Sequence, residues 1–95
     1  MNNSKIIINY CNSCRWVTRS CWIAQELLIT FETEITEVAL RPSKIPGTFQ
    51  ISFNDNLIHC RKLHQGFPEL KTLKQQIRDL INPELDLGHS DVKKP

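Results

Sequence analysis

The sequence predicts an α/β protein in which a four-stranded mixed sheet is covered by two helices, in the order β-α-β-β-β-α. Three observations predict this fold. A run of three isoleucines near the start is typical of a buried strand, apolar residues then recur at helical spacing, and a later segment alternates apolar and polar residues before a turn. A chain of 95 residues has room for one domain with a modest core.

The first predicted strand covers residues 5–10 and leads directly into a Cys-x-x-Cys motif formed by Cys11 and Cys14. Because its isoleucine run lacks polar alternation, we expect this strand to be buried on both faces at the centre of the sheet. Helical spacing begins at Cys14, and Ser13 is a candidate N-cap. The motif is therefore expected on the first turn of a helix.

The first predicted helix runs from Cys14 to Phe31 and is long enough to cover a small sheet. Trp22 lies on the opposite side of the helical wheel from the apolar stripe. We therefore expect it to be exposed, either as an isolated aromatic or as a contact for a partner. The stripe consists of Val17, Cys21, Ala24, Leu28 and Phe31, with Leu27 beside it and Trp16 and Ile23 at its flanks.

The middle of the chain predicts three more strands. Residues 35–40 form the second strand, which a right-handed crossover places parallel to the first. Residues 41–47 contain two prolines and a glycine, which predict a loop. Residues 48–53 alternate in polarity, residues 54–56 favour a tight turn, and residues 57–62 return as an antiparallel strand.

The last predicted helix opens at residues 66–69, with Pro68 in its first turn, and ends at Asn82-Pro83. We therefore place the domain at residues 1–83. Residues 84–95 are polar and lack periodicity, so we expect a flexible tail. The buried face of this helix is predicted to consist of Leu70, Leu73, Ile77, Leu80 and Ile81.

Charge and composition exclude several classes of function. The formal net charge is +2, and the basic residues are scattered among acidic ones, so we expect no nucleic-acid or membrane partner. The start of the chain lacks the features of a signal peptide, and no apolar run reaches membrane-spanning length. We therefore expect a cytoplasmic protein, and in that reducing compartment a Cys-x-x-Cys pair is typically catalytic or metal-binding.

The motif predicts thiol–disulfide chemistry without a bound organic cofactor. Two intervening residues allow a local disulfide to close while its sulfurs remain accessible to exchange. A helix N-terminus would favour the thiolate, and Arg15 either adds positive potential or is simply solvated. One cysteine attacks and the other resolves; the spacing alone leaves open which of Cys11 and Cys14 does each.

The remaining cysteines and histidines allow three other uses. A structural zinc site would need ligands beyond the motif, and only Cys21, Cys60 and His59 are available, without a second Cys-x-x-Cys. We expect Cys21 in the apolar stripe and Cys60 in a strand, and a disulfide between them is disfavoured in cytosol. His59 and His64 are either proton donors or, as we favour, surface residues.

Pro46 precedes the strand at residues 48–53. It is either a cis-proline that faces the disulfide or, as we favour, an ordinary trans-proline in a loop. His89 lies in the predicted tail and is discounted.

Residues 5–14 resemble the start of the selenoprotein W/T/H-like (Rdx) family, which carries Cys-x-x-Cys or Cys-x-x-selenocysteine after its first strand. Residues 15–28 resemble the helix of its bacterial all-cysteine members. Residues 47–49 and 66–69 fall where the family has Gly-x-Phe and Gly-Gly-Phe-Pro. The resemblance extends over residues 5–82.

This resemblance implies a thioredoxin-like fold and a thiol–disulfide oxidoreductase with Cys11 and Cys14 as its catalytic pair. It implies glutathione as a candidate co-substrate, and thiol or disulfide proteins as partners. Cys14 occupies the selenocysteine position of the relatives, whereas analogy with thioredoxin slightly favours Cys11 as the attacking residue. The alternative function is a non-enzymatic, redox-regulated protein-binding module. One departure from the family is Gln65, where glycine is usual.

Overall fold

The computed structural model describes residues 4–88. In this range the chain forms strands and helices in the order β1 (Lys5–Cys11), α1 (Val17–Thr30), β2 (Glu37–Ser43), β3 (Phe49–Phe53), β4 (Asn56–Cys60), α2 (Arg61–His64) and α3 (Leu70–Ile81). The predicted α/β fold, with a four-stranded mixed sheet and the order of strands and long helices along the chain, is confirmed. The one additional element in residues 4–88 is the single-turn helix α2.

The sheet has the strand order β2-β1-β3-β4, so β1 is central. It pairs parallel with β2 and antiparallel with β3, and β3 pairs antiparallel with β4. Ile6 and Ile8 are completely buried, as their β-branched run predicts. Because β1 and β2 run in the same direction, the carboxyl end of β1 brings Cys11 beside Ser43.

One hydrophobic core lies between the sheet and the two long helices. Its residues come from alternate positions of β1 and β3 and from one face each of α1 and α3. The largest completely buried members are Ile6, Ile8, Ile23, Leu27, Phe31, Phe49, Ile51, Leu73 and Ile77. In residues 4–88, each helix is too short or too polar to cross a membrane.

The start and the buried face of α1 differ from the prediction. The helix begins at Val17, three residues later than expected, and Ser13 does not cap it. Its buried face follows Ser20, Ile23 and Leu27, which is rotated from the predicted stripe. Two apolar stripes lie side by side on this helix, and the sheet covers the one centred on Ile23. Trp22 is 48% exposed, as predicted.

The other differences concern element ends. β2 continues to Ser43 through Pro42, which an edge strand tolerates, so the predicted loop begins later. The strand β4 ends at Cys60, where α2 begins. The predicted turn at residues 54–56 is confirmed. The helix α3 begins at Leu70, so Pro68 precedes it instead of lying in its first turn, and α3 ends at Ile81, directly before Asn82-Pro83 as expected.

On α3, Leu80 is exposed instead of buried. Lys74 is buried in addition to apolar residues of this helix, and its ammonium group contacts Glu26. In the predicted tail, Leu85 and Leu87 pack partly buried against the core. Residues 89–95, including His89, lie outside the described residues. The domain boundary at residue 83 remains a prediction.

Candidate redox site

The two cysteines of the motif lie together at the carboxyl end of β1. Their Cα atoms are 5.3 Å apart, and their sulfur atoms are within bonding distance as a disulfide. Cys14 lies in a turn that precedes α1, not on the first turn of the helix as predicted. In this turn the N–H of Arg15 donates to the carbonyl of Asn12 at 3.0 Å, and Arg15 has a left-handed φ of 61°.

The two sulfurs differ in accessibility. Cys11 is completely buried, whereas Cys14 is half-buried. The backbone N–H of Cys14 donates to the sulfur of Cys11 at 3.2 Å. The hydroxyl of Ser13 lies 3.4 Å from the same sulfur and is the donor there, because a disulfide sulfur carries no proton. Reagents therefore reach the pair through Cys14, while Cys11 is surrounded by donors.

Two neighbouring segments hold the end of β1 in place. The N–H of Cys11 donates to the carbonyl of Thr48 at 2.7 Å, and the N–H of Asn12 donates to the carbonyl of Ser43 at 3.3 Å. These bonds join β1 to the segments on both of its sides. The peptide bonds within residues 4–88 are all trans, including the bond before Pro46.

Three aromatic rings pack edge to face next to the disulfide. The ring centroids of Trp16 and Phe67 are 4.9 Å apart, those of Phe49 and Phe67 are 5.1 Å apart, and those of Trp16 and Phe49 are 6.3 Å apart. Sequence reasoning placed Trp16 only at the flank of the helical stripe. The signal that could have identified it is an aromatic residue two positions after the motif.

Two guanidinium groups cover this aromatic cluster. Arg19 lies 3.9 Å from the ring centroid of Phe67, and Arg61 lies 5.0 Å from that of Trp16. The Nε–H of Arg61 also donates to the carbonyl of Gly47 at 3.1 Å. The surface beside Cys14 is therefore aromatic and positively charged, which favours anionic ligands.

The remaining cysteines are not part of this site. Cys21 is exposed, which makes its predicted burial wrong, and Cys60 is buried at the end of β4; both are free thiols. The N–H of Leu63 donates toward the sulfur of Cys60 and lowers the pKa of that thiol. The structure does not bring Cys21 and Cys60 together.

The two histidines differ in exposure: His64 is exposed as predicted, whereas the prediction that His59 is a surface residue is wrong. His59 is buried, and its Nε2 atom lies 2.8 Å from the carbonyl oxygen of Gly66. Its ring stacks on that of His64 with centroids 5.0 Å apart, and the N–H of Cys60 donates to Nδ1 of His64. Within residues 4–88, His, Cys, Asp and Glu do not form a group of three or more that could hold a metal ion.

Gln65 lies at a backbone position that suits glycine. It follows α2 with a φ of 57°, in the left-handed region that glycine adopts without steric cost. The N–H of Gly66 then donates to the carbonyl of Arg61 and closes the turn. The left-handed backbone conformation that glycine adopts easily is therefore present here although Gln65 carries a side chain.

Comparison with known proteins agrees with this geometry. The chain is 51% identical to a selenoprotein W-related protein from Vibrio cholerae, whose crystal structure matches 85% of this chain and 100% of that one with a TM-score of 0.82. A crystal structure of a protein from Bordetella parapertussis is 44% identical and matches 83% of this chain and 99% of its own, with a TM-score of 0.80. No curated protein matches the sequence. The Rdx family model matches residues 5–79, which include the whole sheet and the Cys-x-x-Cys pair, and the chain therefore belongs to the Rdx family.

Proposed function

We propose that this protein is a thiol–disulfide oxidoreductase that uses Cys11 and Cys14 and no bound organic cofactor. The observation that carries the proposal is the asymmetry of the pair. One sulfur is accessible to a partner, and the other is buried with two hydrogen-bond donors directed at it. In the reduced protein these donors would favour the thiolate form of Cys11, which is the form that attacks Cys14 in the resolving step.

The proposed reaction starts from the reduced pair. The thiolate of Cys14 attacks one sulfur of a substrate disulfide, forms a mixed disulfide and releases the other substrate sulfur as a thiolate. Cys11 then attacks the sulfur of Cys14 and releases the remaining substrate thiolate. The substrate disulfide gains two electrons, and the pair loses them on forming the Cys11–Cys14 bond. The burial of Cys11 thus supports Cys14 as the attacking residue, whereas analogy with thioredoxin favours Cys11.

Glutathione is the reductant that we propose for the return reaction. Two glutathione molecules would reduce the pair and leave as one glutathione disulfide, which balances the two electrons. The first would attack the sulfur of Cys14, since Cys11 is buried. We propose the cytosol as the compartment, because in a reducing environment a Cys-x-x-Cys pair is typically catalytic and not a permanent structural disulfide.

A trapping experiment tests this assignment. The variant Cys11→Ser keeps the attacking sulfur and lacks the resolving one, so it should accumulate mixed disulfides that dithiothreitol releases. The variant Cys14→Ser should trap nothing, and Cys21→Ser serves as the matched control with normal turnover. Trapping by Cys14→Ser alone would reverse the two roles. Redox titration that depends on Cys21 and Cys60 would refute the site.

The same experiment separates the two alternatives. A protein-binding module would trap one dominant partner and would not turn over general disulfides, and the exposed Trp22 beside Arg15 favours this as the second candidate. A zinc protein would retain metal when purified without chelator. Metal analysis with a zinc ratio near one per chain would therefore replace the redox proposal.

A further inference from the structure

The fold separates charges that are mixed along the sequence. The turn of the redox pair lies at one end of the sheet, together with residues 12–19, 41–48 and 61–69. Within the described residues these three segments hold six basic side chains and one acidic one. The basic residues are Arg15, Arg19, Arg41, Lys44, Arg61 and Lys62.

The opposite end of the sheet has the reverse charge. There the chain passes through residues 4–5, 31–37, 54–56 and 78–88, close to the start of β1. Within the described residues these segments hold seven acidic and two basic side chains. Although the formal net charge is only +2, the redox end of the sheet is therefore positive and the opposite end is negative.

We propose that the redox end is a docking surface for protein segments that carry Asp or Glu next to their own reactive disulfide. This proposal rests on the proposed function and names its class of substrate. Arg15 and Arg19 line one shallow groove with Trp16 and Trp22, directly after the accessible Cys14. A segment whose disulfide reaches Cys14 thus places its neighbouring side chains against these two guanidinium groups.

Two features make this surface more than a region of solvated charge. Arg19 is held on the ring of Phe67, and Arg61 is held between the indole ring of Trp16 and the carbonyl of Gly47. A guanidinium that is already ordered loses less conformational freedom when it binds a carboxylate. The one acidic side chain in the three segments, Glu69, accepts a hydrogen bond from the hydroxyl of Thr72 at 2.7 Å.

The test measures exchange with two peptides of equal length. Each carries one cysteine as a mixed disulfide with thionitrobenzoate, flanked by glutamates in one peptide and by lysines in the other. The rate for the reduced protein is divided by the rate for dithiothreitol, which removes the intrinsic reactivity of each peptide. We expect this normalised rate to be at least about tenfold higher for the acidic peptide at low salt.

Salt and four variants identify the source of the preference. The ratio of the normalised rates for the acidic and the basic peptide should fall to about twofold in 1 M salt, where the Debye length is about 3 Å. Arg15→Gln and Arg19→Gln should each lower it several-fold, while Arg19→Lys, which keeps the charge, should retain most of it. Lys5→Gln removes the same charge about 20 Å away at the other end of β1 and should leave it unchanged.

The outcomes separate this proposal from the oxidoreductase proposal. Equal normalised rates for both peptides would overturn the docking surface and leave the redox activity intact. An equal effect of Lys5→Gln and Arg15→Gln would also overturn it, because net charge would then matter and position would not. Exchange with neither peptide would remove the redox function and the recognition together.

Discussion

The indole of Trp16 meets the ring of Phe67 edge to face, with their planes at 89° and their centroids 4.9 Å apart. Trp16 is the residue before α1, and Phe67 lies in the segment before α3. This contact therefore joins the starts of the two long helices beside the disulfide. It links the position of the turn that carries Cys14 to the packing of a distant part of the chain.

This relationship predicts a measurable coupling energy. Trp16→Leu and Phe67→Leu should each lower the free energy of unfolding. The double variant should lose less than the sum of the two single losses, and the difference, the coupling energy, should be about 1 kcal/mol, which is typical of edge-to-face pairs. Urea unfolding of the four proteins of the cycle measures this energy. Additive effects would show that the two rings do not interact. Ile29→Leu, at an exposed position of α1, gives the matched control without coupling to Phe67.

The hydroxyl of Ser13 should speed the resolving step. In Ser13→Ala the sulfur of Cys11 loses one of its two donors, and the loss of about 1 kcal/mol of hydrogen bonding should slow release from the mixed disulfide about fivefold. Stopped-flow decay of a preformed mixed disulfide on Cys14 measures this rate. Ser13→Thr keeps the hydroxyl and should stay close to wild type. Equal rates in all three proteins would contradict the role of Ser13.

The ion pair between Lys74 and Glu26 should contribute more to the free energy of unfolding than an ion pair on the surface does. Its N–O distance is 3.1 Å, and the Lys74 side chain is only 10% exposed. Glu26→Gln leaves that ammonium group without its anion and should cost about 2 kcal/mol in urea unfolding. Replacing both residues, with Glu26→Leu and Lys74→Met, should recover most of this loss.

The matched control for this pair is Lys5→Gln. It breaks an exposed pair with Glu37 at 3.9 Å and should change the free energy of unfolding by less than about 0.5 kcal/mol. A similar loss from both variants would mean that burial adds nothing to the pair of Lys74.

The turn between β3 and β4 offers a stabilising substitution. Asn54 and Asp55 have φ values of 48° and 71°, and the second position of such a turn favours glycine. Asp55→Gly should therefore raise the free energy of unfolding by about 0.5–1 kcal/mol. Asp55→Ala should lower it, because alanine has no side-chain group to support the left-handed backbone. Thermal and urea unfolding check whether Asp55→Gly and Asp55→Ala change the free energy of unfolding in opposite directions.

Local pattern was enough to predict the centre of the sheet. The isoleucine run of β1 and the alternation of β3 depend on residues next to each other, and both strands are buried as expected. The start of α1 could not be predicted in this way. It depends on the left-handed Arg15 and on the contact of Trp16 with Phe67, fifty-one positions along the chain. Long-range packing thus moved Cys14 off the helix.

The two features that define the candidate site were invisible for the same reason. Periodicity cannot show that Cys11 is buried while Cys14 is accessible, since Cys11 ends the strand and Cys14 lies only three positions later. Basic and acidic residues also follow one another in short groups along the sequence, and only the pairing of the strands collects them at opposite ends of the sheet. The motif could be found from its spacing, but its surroundings required the fold.

Pro42 near the end of β2 has a consequence for how other chains can approach. The strand is an outer one, and proline has no N–H to offer on its solvent side. An incoming strand aligned there would leave one of its carbonyls without a donor. Extension of the sheet by β-augmentation is therefore disfavoured at this corner, and so is edge-to-edge aggregation of two copies. A chain that docks at this corner must accordingly be held through side-chain contacts rather than by extension of the sheet.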